Sequence, residues 1–519
     1  MGAWRRHGGR WAVALAAASL PLAVAPGAAH ASTGHSRHGT GHRPGGKGGA
    51  AGEFVHAPLP PPPPGSTSTY NQAAEPQIRA ARDGSFFISS ENGLGAGTDA
   101  WRSTDNGLSY TSLPQPNAIS AVSGATGVAP GGGDTDLATA PVKNSSGTYN
   151  IYVASLTLGD VTVSASQDAG NTWTSNELSA TVPADDREWI APYGANGFYV
   201  SYHAIGAGDE IIVNEGQTVN GVPTSVDTYD AINPAQPSIY AATMEGNEIG
   251  NIAVDQRTGD VYQIFVGCPP GVSQVVTCSN LSTAYMAVGT PTGVSAGGEP
   301  VLSFTDYVVY NGNPNQGLDN NFPNVAVDSA GNVYASWSND HNVYVSYSTD
   351  HGQRWSKPVK VNSGSATTAI YPWMAAGSAG EVDIVYYGTP AAANYQTCGS
   401  TGTYTCQNEP WYVFFSQDLK VLKGGGWTQH QVTPVVHYGG VCQGGVSCTT
   451  NGNDNRDLYD DFGVAVSPTT GLASIAYSDD QYSDNVGTAN AGECTSAETN
   501  TVSCDHTDYA TQVSGTSIG

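Results

Sequence analysis

Apolar and polar positions alternate along most of the chain from about residue 70 onward, in short runs separated by turns rich in Gly, Asn and Asp. The clearest run is FPNVAVDSAGNVYASWSNDHNVYVSYSTDHGQRWSKPVKV at 322–361. Successive side chains of a β-strand point to opposite faces, so this period of two predicts four consecutive strands joined by tight turns. The segment therefore predicts one four-stranded antiparallel unit.

Six other segments repeat the first two strands of this unit. A single four-stranded unit cannot bury both of its faces, whereas radial stacking into a β-propeller buries them and leaves no long open edge. The sequence thus predicts an all-β protein, a β-propeller of four-stranded blades over residues 69–519, with seven blades favoured and six as the alternative. The first two strands of the seven copies cover 75–90, 134–155, 187–203, 249–266, 322–338, 371–388 and 461–479.

A shorter pattern, Ser-x-Asp-x-Gly-x-Ser/Thr/Arg-Trp/Tyr, occupies predicted hairpin turns at 103–110, 166–173 and 348–355. In such a turn the Asp carboxylate can accept backbone N–H bonds, Gly takes the position with positive φ, and the aromatic ring packs on the hairpin. We therefore expect a structural role for the aspartates of the three turns, Asp105, Asp168 and Asp350.

This turn pattern is the Asp-box, or BNR repeat, and with it the chain resembles the sialidase superfamily of propellers over roughly residues 70–515. The resemblance implies Asp-boxes at the periphery, an arginine triad for the sialic acid carboxylate, a Tyr–Glu nucleophile pair and an Asp acid/base. Gln77 stands where the family's first arginine is expected, and Arg79 is displaced by two positions. Apart from the arginines in or next to predicted turns, three remain that could form this triad: Arg79, Arg187 and Arg456.

Propeller sites form at the central mouth, where the innermost strand of each blade begins. Aligning the seven copies places two columns of side chains there, two residues apart on one strand face. A core position would be uniformly apolar, but these columns hold carboxylates, an arginine, amides and aromatics, which suit glycosyl transfer and sugar binding. The first column is Gln77, Asp136, Trp189, Asn251, Asn324, Trp373 and Gly463, and the second is Glu75, Asp134, Arg187, Ile249, Phe322, Tyr371 and Asp461.

We expect catalytic roles for four residues at the mouth, because crowded carboxylates raise one another's pKa and suit a general acid. The resemblance implies that Tyr371 is the nucleophile, with Glu188 or Glu75 as its partner. The alternative is that these acids cap turns or bind a structural Ca²⁺; no cofactor is otherwise required. The expected catalytic residues are Asp136, Glu188, Tyr371 and Asp461, and the expected substrate-binding residues are Glu75, Asp134, Arg187, Trp189, Trp373 and Arg456.

The N-terminal region predicts export. Residues 1–31 combine three arginines, an apolar run and an Ala-x-Ala site, which is typical of a signal peptide, and no later segment is long enough to span a membrane. Residues 32–68, rich in His, Gly and Pro, predict a disordered linker. We therefore expect a secreted, extracellular protein.

Charge and cysteines agree with that compartment. The formal net charge of −26 becomes about −29 without the signal arginines, and such a surface repels nucleic acid, which is not an expected partner. The eight cysteines fit an oxidising compartment, and local closure is the simplest connectivity among many. The expected disulfides are Cys268–Cys278, Cys398–Cys406, Cys442–Cys448 and Cys494–Cys504.

Two functions follow as hypotheses. The first is hydrolysis of extracellular glycans by a secreted, sialidase-like glycoside hydrolase. The second is a non-catalytic propeller that binds glycan or the cell surface after losing the arginine triad. An extracellular glycan is the expected partner in both, and the sequence predicts no oligomeric state.

Overall fold

Seven β-sheets, each the blade of a propeller, make up the fold in the computed structural model. Six sheets have four strands in an antiparallel path, and the sixth blade along the chain carries one extra short strand. The prediction of seven four-stranded blades is therefore confirmed, and the six-blade alternative is wrong. The structure describes residues 52–519 except 67–70, 72, 94, 118–130, 158–159, 179–184, 209, 245, 274–277, 296–299, 392–408, 444–455 and 482–504.

The inner strand of each blade contacts the inner strands of its two neighbours, in an unbroken cycle around the axis. Each blade continues outward through a second strand that pairs with the inner one. The inner strands are β2 (Ala74–Ala80), β6 (Thr135–Lys143), β10 (Asp185–Tyr193), β14 (Glu248–Val254), β18 (Asn320–Val327), β22 (Thr368–Ala376) and β27 (Gly463–Val466). The second strands are β3 (Phe86–Glu91), β7 (Tyr149–Leu156), β11 (Gly197–Ala204), β15 (Val261–Gly267), β19 (Val333–Ser338), β23 (Val382–Thr389) and β28 (Ala473–Asp479).

Two outer strands complete each blade. The third strands are β4 (Asp99–Ser103), β8 (Val161–Ser166), β12 (Glu210–Val219), β16 (Thr283–Val294), β20 (Val343–Ser348), β24 (Pro410–Asp418) and β29 (His506–Gln512). The fourth strands are β5 (Thr111–Ser112), β9 (Thr174–Glu177), β13 (Val222–Asp230), β17 (Pro300–Asn311), β21 (Val359–Lys360), β25 (Thr428–Gln431) and β1 (Phe54–Pro58). The extra strand β26 (His437–Tyr438) pairs with β24, and a short helix α1 (Pro237–Thr243) joins the third and fourth blades.

Strand β1 closes the ring, so the prediction that residues 32–68 form a linker throughout is wrong for residues 54–58. Residues 54–58 fall in the segment predicted to be a linker, yet they pair with β29 as the outermost strand of the last blade. The strand went unrecognised because FVHAP runs directly into a polyproline stretch and lacks a partner nearby in sequence. The ring is therefore closed by pairing the first described strand with the last. The residues expected to form the signal peptide lie outside the described part of the chain.

The first column of polar side chains has a structural use that the sequence did not suggest. Asn251 accepts a hydrogen bond from the Val325 N–H (2.6 Å) and donates to the Val325 carbonyl (3.0 Å) in the next blade. Asn324 accepts from the Met374 N–H at 2.8 Å in the same way. These strands have no partner on their axial side, so an amide of the preceding blade satisfies backbone groups that would otherwise be unpaired.

The three repeated turns have the hydrogen bonds expected of them. In the last, the Ser348 hydroxyl donates to Asp350 (2.8 Å) and accepts from the Gly352 N–H (3.0 Å), while Asp350 accepts from the Arg354 N–H (2.9 Å). Gly352 has a φ of +77°. The turns follow third strands, at the end of the blade opposite the start of the inner strands, so they are structural and remote from the mouth.

Covalent and apolar links hold the outer parts of the blades. The Cys268–Cys278 disulfide is confirmed, and Cys442 is also disulfide-bonded. The other predicted partners, Cys398, Cys406, Cys448, Cys494 and Cys504, lie outside the described residues. Apolar clusters fill the space between adjacent blades, and no helix among the described residues has the length and apolar character needed to cross a membrane.

Candidate active site at the propeller mouth

Side chains of the second column converge on one arginine at the mouth. Arg187 Nη1 lies 2.9 Å from Glu75 Oε1, and its Nη2 lies 2.7 Å from Asp461 Oδ2, so the first, third and seventh blades meet there. Asp134 of the second blade is 3.8 Å from the same guanidinium. Residues far apart in sequence therefore surround one axial position, as the alignment of the repeats predicted.

Aromatic rings form a floor beneath this ion cluster. The Arg187 guanidinium carbon lies 4.1 Å from the centre of the Trp189 ring and 5.1 Å from that of Phe322. Trp189 in turn lies 5.4 Å from both Phe322 and Trp373, ring centre to ring centre. Cation–π contacts of this kind stabilise a desolvated guanidinium. The aromatic rings are therefore covered by Arg187 and hold it in place, and they are not open to solvent.

The inner strands carry bulges at the positions that aim these side chains. Their register with the second strand shifts between Ala74 and Gln77, between Asp186 and Trp189, and between Ile370 and Trp373. The residues inside these bulges have positive φ: Glu75 at 54°, Arg187 at 47° and Tyr371 at 55°. Positive φ costs a non-glycine residue free energy and is concentrated at functional sites, which supports a role for the mouth.

A group of three acids lies beside Arg187, and one of them, Asp134, is partly open to solvent. Glu91, at the end of β3, is opposite Ala74 in the ladder and therefore next to Glu75. One carboxylate oxygen each of Glu75, Glu91 and Asp134 lie within 4.8 Å of one another, and the Asp134 side chain is 18% exposed. The mouth thus presents the partly exposed Asp134 beside Glu91, whose Oε2 is buried, and next to the fully buried Glu75.

Burial and mutual repulsion change the protonation of these acids. Burial, followed by the Asp134 charge, raises the pKa of Glu91 to about 8 and that of Asp186 to about 7. Burial also raises the pKa of Asp461 to about 7, against the lowering effect of Arg187. At neutral pH the mouth therefore contains carboxyl groups that hold protons and can donate them.

The other two arginines of the predicted trio are also ion-paired. Arg79 bonds Asp136 at 2.7 Å and lies over the Trp373 ring, and Arg456 Nη1 bonds Asp460 at 2.9 Å. Asp136 also accepts from the Ile190 N–H of the next blade at 3.0 Å. Asp136 thus occupies the same inter-blade position as the amides of its column.

The residues expected to be catalytic lie deeper than expected. Asp136, Glu188, Tyr371 and Asp461 are each 2% exposed or less. Neither Glu188 oxygen has a hydrogen-bond partner among the described residues, and burial raises its pKa well above the usual range. Their catalytic roles stay predictions, while Glu91 was missed because the alignment followed only inner strands. Pairing the hairpin 75–91 residue by residue would have brought Glu91 beside Glu75.

Comparisons with known proteins leave the family open. Neither a protein-family model nor a curated protein matches the chain. Among solved structures, a mutant Aleuria aurantia lectin in complex with Fucα1-6GlcNAc is 12% identical, with a TM-score of 0.40 over 70% of this chain and 97% of the lectin. A Hadza microbial sialidase is 10% identical, with a TM-score of 0.42 over 86% of this chain and 66% of that one. A phage phi92 endosialidase is 8% identical, with a TM-score of 0.40 over 90% and 70%. Likenesses this low leave function to be argued from the chain's own residues.

Proposed function

We propose that this protein is a secreted glycoside hydrolase that cleaves neutral glycans at the propeller mouth, with Glu91 as general acid and Asp134 as nucleophile. The observation that carries the proposal is the adjacency of these two carboxyls at the mouth, where burial raises the pKa of Glu91 to about 8 and the Asp134 side chain is partly exposed. A protonated acid beside a carboxylate is the arrangement that glycosidic bond cleavage requires.

The separation of the two groups favours a retaining reaction. One oxygen of Glu91 and one of Asp134 lie within 4.8 Å of each other, which is closer than the about 6.5–9.5 Å between carboxyl groups that inverting enzymes use to make room for a water. Glu91 protonates the glycosidic oxygen as its bond to the anomeric carbon breaks, and Asp134 attacks that carbon to form a glycosyl ester. Glu91, now a carboxylate, takes a proton from water, which hydrolyses the ester and restores both groups.

The charges of the mouth support a neutral sugar over sialic acid. Arg79, Arg187 and Arg456 each pair with a carboxylate of the protein, so binding a substrate carboxylate would require breaking those pairs. The protein would then keep the propeller while differing in substrate from the superfamily that its turns resemble.

The buried acids support the reacting pair in this proposal. Glu75 and Asp461 hold Arg187 beneath Asp134, and Asp136 ties the inner strand of the second blade to that of the third. Glu188 and Tyr371 are buried, and in this proposal neither is a reacting group. Loss of any of them would disturb the geometry rather than remove a reacting atom.

The test is sugar release from a panel of neutral and sialylated glycans by the purified protein. We expect release from a neutral glycan, and a fall of at least about 100-fold in kcat/KM for Glu91→Gln and for Asp134→Asn. The exposed Glu53→Gln and Asp227→Asn make the same chemical changes far from the mouth and should keep wild-type rates. Unchanged rates in both mouth variants would refute the assignment, and glycan binding without any release would favour the non-catalytic alternative.

A further inference from the structure

A histidine and three aspartates lie together between the sixth and seventh blades, outside the mouth. His437 is on β26, Asp457 lies in the loop before β27, Asp480 follows β28 and Asp505 precedes β29. All four are buried, from 0% to 8% exposed. Atoms that could bind a metal on His437, Asp457 and Asp480 lie within 4.8 Å of one another.

The hydrogen bonds of His437 determine which of its nitrogens faces the carboxylates. Nε2 lies 2.8 Å from the Gly440 carbonyl, which can only accept, so Nε2 carries the hydrogen. Nδ1 lies 2.7 Å from Asp480 Oδ2 and 3.8 Å from Asp457 Oδ2. Nδ1 therefore faces two carboxylates, and a metal-binding histidine is typically held by this kind of N–H bond to a carbonyl.

Asp505 provides an independent observation. It is fully buried, and neither of its carboxylate oxygens has a hydrogen-bond partner among the described residues. The β28–β29 ladder ends at the Asp479–His506 pair, so Asp480 and Asp505 each lie one residue beyond it. The charge of Asp505 is repelled by those of Asp457 and Asp480, which places Asp505 near the cluster.

We propose that His437, Asp457, Asp480 and Asp505 bind one divalent transition-metal ion, for which zinc is the best match. Three buried carboxylates beside one imidazole carry an excess of negative charge that a dication compensates. A donor set of one nitrogen and three oxygens suits tetrahedral zinc, whereas calcium takes oxygen ligands in larger number. The distances from His437 Nδ1 to Asp480 Oδ2 (2.7 Å) and to Asp457 Oδ2 (3.8 Å) bracket the about 3.3 Å expected between neighbouring ligands of a tetrahedral zinc.

The proposed site would join two blades near the point where the ring closes. His437 belongs to the sixth blade, whereas Asp480 and Asp505 flank strands of the seventh, and the Asp480 N–H bonds the Val436 carbonyl at 3.1 Å. Asp457 lies directly after Arg456, in the loop that carries Asp461 to the mouth. Metal binding would therefore fix that loop as well as the blade interface, independently of the function proposed for the mouth.

The experiment uses the full chain, stripped with a chelator and then dialysed against Zn²⁺, Mn²⁺ or Ca²⁺ separately. Bound metal is counted by mass spectrometry and Tm is measured for each sample. We expect one zinc per chain and a Tm that rises with free zinc, because an ion that binds only the folded state stabilises it. Asp505→Asn and His437→Gln should each weaken zinc binding by more than about 100-fold, since loss of an outer-shell partner alone costs 10–100-fold.

Two controls keep the result specific. Asp306→Asn changes another buried aspartate in a different blade, and Glu91→Gln removes one member of the acidic group at the mouth. Both should retain one zinc. The wild-type comparison of stripped and loaded protein remains decisive if a variant fails to fold. The proposal is overturned by wild-type protein without stoichiometric zinc, by calcium in its place, by zinc retained in both cluster variants, or by its loss in Glu91→Gln alone.

Discussion

Replacing Asn251 by alanine tests how the blades are joined at the axis. The Asn251 amide satisfies both the N–H and the carbonyl of Val325 on the open edge of the next inner strand, and Val325 is only 2% exposed. Alanine would leave both backbone groups buried without partners. The side chain contributes little apolar area, so the lost hydrogen bonds dominate the effect.

The size of the effect follows from the number of groups left unpaired. Each buried, unsatisfied backbone group costs about 1–3 kcal/mol, so Asn251→Ala should lower the free energy of unfolding by about 2–6 kcal/mol. Asn324→Ala removes one such bond, to the Met374 N–H, and the Asn324 Nδ2 has no hydrogen-bond partner among the described residues. We therefore expect about half the loss for Asn324→Ala, about 1–3 kcal/mol.

Urea unfolding followed by tryptophan fluorescence measures both variants against wild type, with the exposed Asn315→Ala as the matched control. The order of stability should be wild type and Asn315→Ala together, then Asn324→Ala, then Asn251→Ala, with unchanged m-values. A loss below about 0.5 kcal/mol for Asn251→Ala would refute the argument, because water at the axis would then satisfy Val325 equally well.

Three further predictions concern protonation and the disulfide. Activity on a neutral glycan should fall as pH rises through about 8, where Glu91 loses the proton it must donate; a rate that keeps rising to pH 10 would contradict this role. The pKa of Asp383 is raised by burial to about 8 from an ordinary 3.8, so an unfolded chain releases this proton above about pH 4 while the folded protein holds it. Because stability at this site is therefore lost as pH rises from about 4 to 8, Asp383→Asn should raise the urea midpoint at pH 8 and have little effect at pH 4; an equal effect at both values would contradict the linkage. Cys268→Ser with Cys278→Ser should lower the free energy of unfolding by about 2–3 kcal/mol, and no loss on urea titration would show that the bridge does not constrain the unfolded chain.

The architecture was predictable because each blade repeats a strand pattern of period two. The seven copies mark the inner and second strands of all seven blades, and the alignment brought Glu75, Arg187 and Asp461 to one place before any coordinates. Repetition helps because a copy whose own strand pattern is weak can still be identified by aligning it with the clearer copies. A single unrepeated strand such as β1 has no such support.

The site itself was predictable only in part, because one strand's pattern does not show what borders it. The polar character of Asn251 and Asn324 was interpreted as chemistry, whereas it satisfies an open strand edge of the next blade. Glu91 was missed since it belongs to a second strand and reaches the mouth through hairpin pairing. The cluster at His437 joins segments of two blades through spatial contacts that no sequence spacing encodes.

The most direct test of the central claim is a crystal structure of the Glu91→Gln variant with a neutral oligosaccharide cleaved by the wild type. We predict sugar density at the mouth, with the anomeric carbon beside Asp134 and the glycosidic oxygen beside residue 91. Density on the opposite face, at the turns around Asp105, Asp168 and Asp350, or along the outer strands would contradict the account.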